Sequence, residues 1–107
     1  MKFGLTKLEL EQIYKILHAF PAVREVLIFG SRATGTFRRT SDIDLALKGN
    51  INNDIVAEVK YQLEEETILP YFFDVINYQE IKNEELKEQI DRYGKVLYKK
   101  TERIFYG

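Results

Sequence analysis

Three observations predict a small α/β domain in which helices and strands alternate in the order α-β-α-β-α-β-α. Leu10, Ile13, Leu17 and Phe20 recur at helical spacing behind Thr6-Lys7-Leu8-Glu9, a capping-box pattern. Val26-Leu27-Ile28-Phe29 is an unbroken apolar run that stops at Gly30, the mark of a short buried strand. Asp42-Ile43-Asp44-Leu45-Ala46-Leu47 alternates polar and apolar at period two, which gives a strand two unlike faces. A chain of 107 residues fits one domain over 1–107, and 45% hydrophobic residues supply a core and argue against intrinsic disorder.

Each element follows from local chemistry. Thr6 is the N-cap of the first helix, with Glu9 reaching back, and Pro21 closes the segment. Val23–Phe29 is the first strand. Residues 30–40 are polar and glycine-containing, a loop or a single helical turn. The Asp-x-Asp strand over 42–47 runs into the turn signal Lys48-Gly49-Asn50. Asn53 or Asp54 is placed to cap a second long helix carried by Ile55, Val56, Val59 and Leu63. That helix ends in Glu64-Glu65-Glu66, which reads as a solvated helix end, and Pro70 then interrupts. Residues 71–76 are aromatic and β-branched and form a third strand. Asn83 caps a last helix with Leu86, Ile90 and Tyr93 on one face and Gly94 at its end. Val96-Leu97-Tyr98 is expected to pack as a short strand or an extended tail, with fraying from about residue 99 and across 101–107.

Composition excludes several classes. Without cysteine there are no disulfides and no thiolate metal sites, which suits a reducing cytoplasm. The longest apolar stretch, Val26 to Phe29, is far short of a membrane span, and no basic-then-apolar leader opens the chain. A net charge of −1 disfavours binding to long nucleic acids. That average hides a pattern: Arg24, Arg32, Arg38 and Arg39 face only Glu25 across residues 21–41. A local basic segment in a neutral protein suits a small anionic ligand.

The chemistry concentrates in Gly30-Ser31 and, after a short gap, Ser41-Asp42-Ile43-Asp44. Residues two apart on a strand share a face, so Asp42 and Asp44 lie roughly 6–7 Å apart and repel by roughly 2 kcal/mol at an effective dielectric of 20. All-oxygen ligation of that kind suits Mg²⁺ or Mn²⁺ shared with substrate phosphates. Two such ions can activate an attacking oxygen and stabilise a leaving one. Asp74, inside an otherwise apolar strand, joins the cluster if its strand pairs beside the Asp42–Asp44 strand. Gly30 lets the backbone approach a ligand, Ser31 opens a turn whose N–H groups face phosphate oxygens, and Arg32, Arg38 or Arg39 neutralise the rest of a triphosphate. Taken singly, Asp-x-Asp is solvated edge charge, Gly-Ser a turn, and Asp74 an edge residue pointing to water. It is their conjunction that signals a site.

Gly30-x4-Gly35 is not a P-loop, because Thr36-Phe37 follows where Lys-Ser/Thr is required. His18 has no second His or Cys and reads as a helix C-terminal residue. The seven tyrosines read mainly as core and boundary residues. Arg38-Arg39 is open between phosphate contact, partner contact and solvated charge.

Gly30-Ser31-Arg32-Ala33-Thr34-Gly35 followed by Ser41-Asp42-Ile43-Asp44-Leu45 resembles the signature of the DNA polymerase β-type nucleotidyltransferase superfamily. More narrowly, the chain resembles the minimal nucleotidyltransferases (MNT proteins) encoded beside HEPN-domain partners in toxin–antitoxin pairs. The resemblance implies a small mixed sheet flanked by helices. It also implies Gly30, Ser31, Arg32 and Ser41 at the nucleotide, Asp42, Asp44 and Asp74 as catalytic carboxylates and metal ligands, and Asp74 as the base for the acceptor. The implied cofactors are Mg²⁺, two ions or Mn²⁺ in its place, with ATP as substrate. The implied reaction is AMP transfer to a hydroxyl of a HEPN toxin in a hetero-oligomer. Two other functions stand beside it: an antitoxin acting by occlusion alone, and a small-molecule adenylyltransferase. The aminoglycoside enzymes of that last kind add a helical acceptor domain, and nothing after Gly94 is long enough to form one, so the acceptor is expected in trans.

Overall fold

The capping box forms as the sequence requires. Thr6 Oγ1 accepts the Glu9 N–H at 3.1 Å, and Glu9 Oε1 accepts the Thr6 N–H at 2.8 Å. Helix α1 (Lys7–His18) follows, with Leu10, Ile13 and Leu17 buried. The computed structural model describes residues 1–100, so the fraying expected of residues 101–107 lies outside the described residues. Four strands, β1 (Val23–Phe29), β2 (Ile43–Gly49), β3 (Phe73–Asn77) and β4 (Lys95–Lys99), form one mixed sheet in the order β3-β2-β1-β4. β1 pairs antiparallel with β2 and β4, whereas β2 and β3 are parallel. A parallel pair needs a crossover, and α3 (Asn53–Glu65) supplies it. α2 (Ser31–Thr34) is a single turn after β1, while a 3₁₀ turn (Tyr78–Glu80) and α4 (Glu84–Tyr93) join β3 to β4.

Alternation along the strands divides the core. Val26, Ile28, Ile43, Leu45, Leu47, Phe73 and Val75 pack with Ile13, Leu17, Val59 and Leu63 of α1 and α3. On the opposite face Leu27, Phe29 and Ala46 pack with Ile90 of α4. By the same period of two, Asp44 shares the α4 face with Ala46, and Asp74 shares it with Ile76. Asp74 is exposed, so α4 leaves that end of the face open.

The expected elements are present with shifted edges and one addition. The tail over 96–98 is a strand, so the order closes on β rather than on α. β2 runs through Lys48 and Gly49 because both still pair with β1, which leaves Asp42 just ahead of the first strand residue. β3 covers 73–77 rather than 71–76. The second long helix is capped by Asn52, not by Asn53 or Asp54, because Asn52 Oδ1 accepts the Ile55 N–H at 2.8 Å. Tyr93 is half exposed and Gly94 leaves α4 in extended conformation. No helix among the described residues is long and apolar enough to cross a membrane.

Glu64 is not a solvated helix end. Its Oε2 accepts the Phe73 N–H at 2.8 Å and the Lys60 ammonium at 3.3 Å, while Lys60 also donates to the Phe73 carbonyl. Two side chains of α3 thereby satisfy the outer edge of β3, where an unpaired edge would otherwise begin. Glu64→Ala is expected to lower stability in urea by about 1 kcal/mol, the worth of an orphaned amide bond. Glu65→Ala, at an exposed position, is the control and should leave the midpoint unchanged.

Candidate active site at the β1–α2 turn and the β2–β3 pair

β1 ends on Phe29, which lies opposite Asp44, and Asp44 lies opposite Asp74 in the parallel register. Adjacent strands run about 4.8 Å apart, so Asp44 and Asp74 are neighbours on one face. Gly30 turns the chain with φ 72° and ψ −153°, a region that only glycine occupies readily. A Cβ on Gly30 would also overlap Asp44 Oδ2. The dihedral favours glycine here, and a Cβ would in addition have to displace the Asp44 carboxylate. α2 then closes on Gly30 and Ser31: the N–H groups of Ala33 and Thr34 donate to the Gly30 carbonyl at 3.1 and 3.2 Å, and that of Gly35 donates to Ser31 at 2.9 Å. Gly35 leaves the turn in left-handed conformation at φ 87°.

The three carboxylates differ in environment. Asp42 and Asp74 are exposed, whereas Asp44, on an inner strand, is half-buried. Burial raises the Asp44 carboxyl from 3.8 to about 6, with repulsion from Asp74 and Asp42 adding to it and Arg32 offsetting part. The β2–β3 register brings Asp74 beside Asp44, the pairing on which the sequence made its membership of the cluster depend. Among the described residues no group of three or more His, Cys, Asp or Glu side chains is placed to hold a metal ion, so a cation here would rest on one or two carboxylates. The donor set nevertheless fits a hard cation of the Mg²⁺ type. Such ions take one or two carboxylates and complete their shell with water and phosphate oxygens. A cation beside Asp44 would also oppose the burial and the carboxylate repulsion that now raise its pKa.

Arg32 corrects an expectation. It was placed at the phosphates, but only 1% of it is exposed. Its Nε and Nη2 donate to the Ser41 carbonyl at 3.1 and 2.8 Å, Nη2 also to Arg39 O at 3.2 Å, and Nη1 to Phe3 O at 2.9 Å. The guanidinium is committed to backbone carbonyls and is not presented to a ligand. Ser41 is likewise engaged within its loop, its Oγ accepting the Arg38 N–H at 2.8 Å. Ser31 is half-buried at the head of α2, while Arg38 and Arg39 are exposed on the loop that leads to Asp42.

Sequence reasoning missed Phe72, which precedes β3 by one residue and is 76% exposed. Period two puts it on the Asp74 face. An aromatic residue two positions before an acid inside an apolar run was the available signal. It also missed the bond from the Tyr71 hydroxyl to Glu9 Oε2 at 2.6 Å, because the partners are 62 residues apart.

The sign of the Asp44 shift gives a prediction. An acid with a raised folded pKa holds its proton better in the folded state, so stability falls as pH rises from about 3.8 to about 6. Above that window Asp44→Asn should stabilise the metal-free protein by about 1–2 kcal/mol after discounting for solvent screening, several degrees in Tm. The gain should vanish below pH 4. Equal melting of the two proteins at pH 8 would show that Asp44 carries no burial penalty.

A model of the family described as polymerase beta, nucleotidyltransferase, matches residues 11–103. Solved structures agree. A toxin–antitoxin structure with AMP-PNP aligns at a TM-score of 0.69 and 26% identity, over 85% of this chain and 73% of that one. A proposed nucleotidyltransferase from Sulfolobus solfataricus aligns at 0.54 and 28%, over 87% and 78%. The complex of a tri-AMPylated Shewanella oneidensis HEPN toxin with its MNT antitoxin aligns at 0.66 and 22%, over 90% and 74%, a likeness of fold alone. No curated protein sequence matches the chain.

Proposed function

Because this chain belongs to the polymerase β nucleotidyltransferase family, we propose that it transfers AMP from ATP to a hydroxyl of a partner protein, and that the partner is a HEPN toxin. The observation that carries the reading is Asp44, held half-buried against Gly30 with Asp42 and Asp74 beside it. A fold keeps such a group in place of an apolar one where a cation and an anionic substrate meet. The fold likeness to toxin–antitoxin structures, one with AMP-PNP and one with an AMPylated HEPN toxin, supports the nucleotide and the partner.

In this reading Asp42 and Asp44 hold Mg²⁺, which supplies charge neutralisation at the phosphates. Gly30 and Ser31 bring backbone N–H groups toward the triphosphate at the head of α2. The acceptor oxygen attacks the α-phosphorus, a new O–P bond forms, and the bond to the departing pyrophosphate breaks. Asp74, exposed at the sheet edge, takes the hydroxyl proton. Arg38 and Arg39 remain available to phosphate or to partner. Phe72, 76% exposed and two residues before Asp74, gives the acceptor protein an apolar footing.

Asp42→Asn or Asp44→Asn should lower label transfer from α-³²P-ATP to the co-purified partner by on the order of 10²-fold or more, leaving the complex intact. If such a variant protects cells from the partner as well as wild type, neutralisation is by occlusion. If calorimetry finds no divalent-dependent triphosphate binding to wild type, the enzymatic reading falls. Phe72→Ser should reduce transfer about tenfold, the scale of one buried aromatic contact, without changing nucleotide affinity. A matching loss of nucleotide affinity would place Phe72 on the donor side instead.

A further inference from the structure

We propose that Arg32 is a positioning residue and that, with residues 1–5, it clamps the 36–42 loop so that Asp42 is aimed at the acidic corner. What is positioned rests on the function proposed above; the clamp itself rests on geometry.

No carboxylate among the described residues forms an ion pair with Arg32. Its guanidinium instead lies over the rings of Phe37 and Tyr71, at 5.3 and 4.9 Å from their centres, and donates only to carbonyls. Two of those bonds converge on the Ser41 carbonyl, the oxygen of the peptide that joins Ser41 to Asp42. One side chain thus ties the α2 turn to the last link before Asp42. A lysine ammonium has neither the fork nor the flat face to do this.

The third tether reaches Phe3, and the segment around it is held in an uncommon shape. Lys2 and Leu5 exchange backbone bonds of 3.2 and 2.9 Å, closing a hook anchored by the fully buried Leu5. Phe3 sits at φ +57, rare for a bulky residue, and turns its carbonyl to Arg32 Nη1. Gly4 follows at φ +73, and the Phe37 ring lies where a Gly4 Cβ would be. A strained residue persists where its surroundings over-determine it. Here those surroundings are the bond from Arg32 of α2 and, at the neighbouring Gly4, the ring of Phe37 from the loop that leads to Asp42.

The test uses the full chain. Arg32→Lys opens the clamp from the loop side and Gly4→Ala from the hook side, while Val59→Ala, in the core under α3, controls for general destabilisation. Amide exchange over residues 36–42 and Mn²⁺ binding in the presence of AMP-PNP are read well below each melting transition. Both clamp variants should exchange about tenfold faster across the loop and bind Mn²⁺ with AMP-PNP about fivefold more weakly, with Val59→Ala near wild type in both. Loop exchange equal to that of Val59→Ala overturns the clamp. Faster exchange with wild-type Mn²⁺ affinity overturns the positioning role and makes Arg32 a stability residue only. If wild type binds no Mn²⁺ with AMP-PNP, the nucleotidyltransferase reading and the role of Arg32 within it both fall, while exchange still decides whether the clamp exists. If Arg32→Lys does not fold, Gly4→Ala carries the same two readouts.

Discussion

Asp44 faces Asp74 across a parallel strand pair and packs its carboxylate against Gly30, so the corner where β1, β2 and β3 meet carries an electrostatic cost. Like charges directly opposite on neighbouring strands destabilise a sheet. The strands stay paired because the other face is apolar without exception at this point: Ile43, Leu45, Phe73 and Val75 are all buried against α1 and α3. Each of these side chains, fully buried, contributes on the order of 1.5–3 kcal/mol. Together the four exceed the repulsion of roughly 3–4 kcal/mol expected for two carboxylates about 5 Å apart at an effective dielectric of 20. One face of the sheet holds the fold, and the other is thereby free to hold charge.

The compensating positive charge is placed inside rather than at the surface. Arg32 lowers the Asp44 and Glu9 carboxyls by its field while bonding to neither. Burial alone would raise Glu9, but the Thr6 N–H and the Tyr71 hydroxyl outweigh it and hold Glu9 below its usual 4.5. Tyr71 responds oppositely, its hydroxyl pushed up by burial and by the bond to Glu9. The capping residue of α1 therefore also fixes the approach to β3. Helix start, hook, loop and strand lead-in converge on one guanidinium, and an error in any of them reaches the segment before Asp42.

Local patterns were legible in the sequence and long-range commitments were not. The capping box, the Val26–Phe29 run and the period-two alternation from Ile43 to Leu47 depend on neighbours within a few residues; the first two appear as read, and the third appears with Asp42 left just outside the strand. The closing strand β4 is not legible locally, because Val96 and Leu97 become a strand only by pairing with β1, some 70 residues earlier in the chain. Glu64 looked like one of three solvated acids until β3 presented it with an unpaired amide. Arg32 looked like a phosphate ligand because it follows Gly30-Ser31. Its burial depends on carbonyls at Phe3, Arg39 and Ser41, which no spacing rule connects. Nothing in residue type separates an arginine that reaches outward from one that holds a loop.

Sheet order itself then distributes the proposed roles. β2 is an inner strand, so Asp44 is half-buried and titrates near 6, where its charge state is sensitive to an arriving cation. β3 is an edge strand, so Asp74 stays exposed and can meet a hydroxyl brought by another molecule. Asp42 precedes β2 and follows the Arg32-bound peptide, so its carboxylate is solvated while its backbone is held. The order β3-β2-β1-β4 therefore makes three chemically identical side chains unlike one another. A shift of β3 by a single residue would turn Asp74 toward the α1–α3 core and Phe73 toward water. With Phe73 fully buried on that core, such a slip is strongly opposed, and the packing that stabilises the fold is also what keeps Asp74 facing outward.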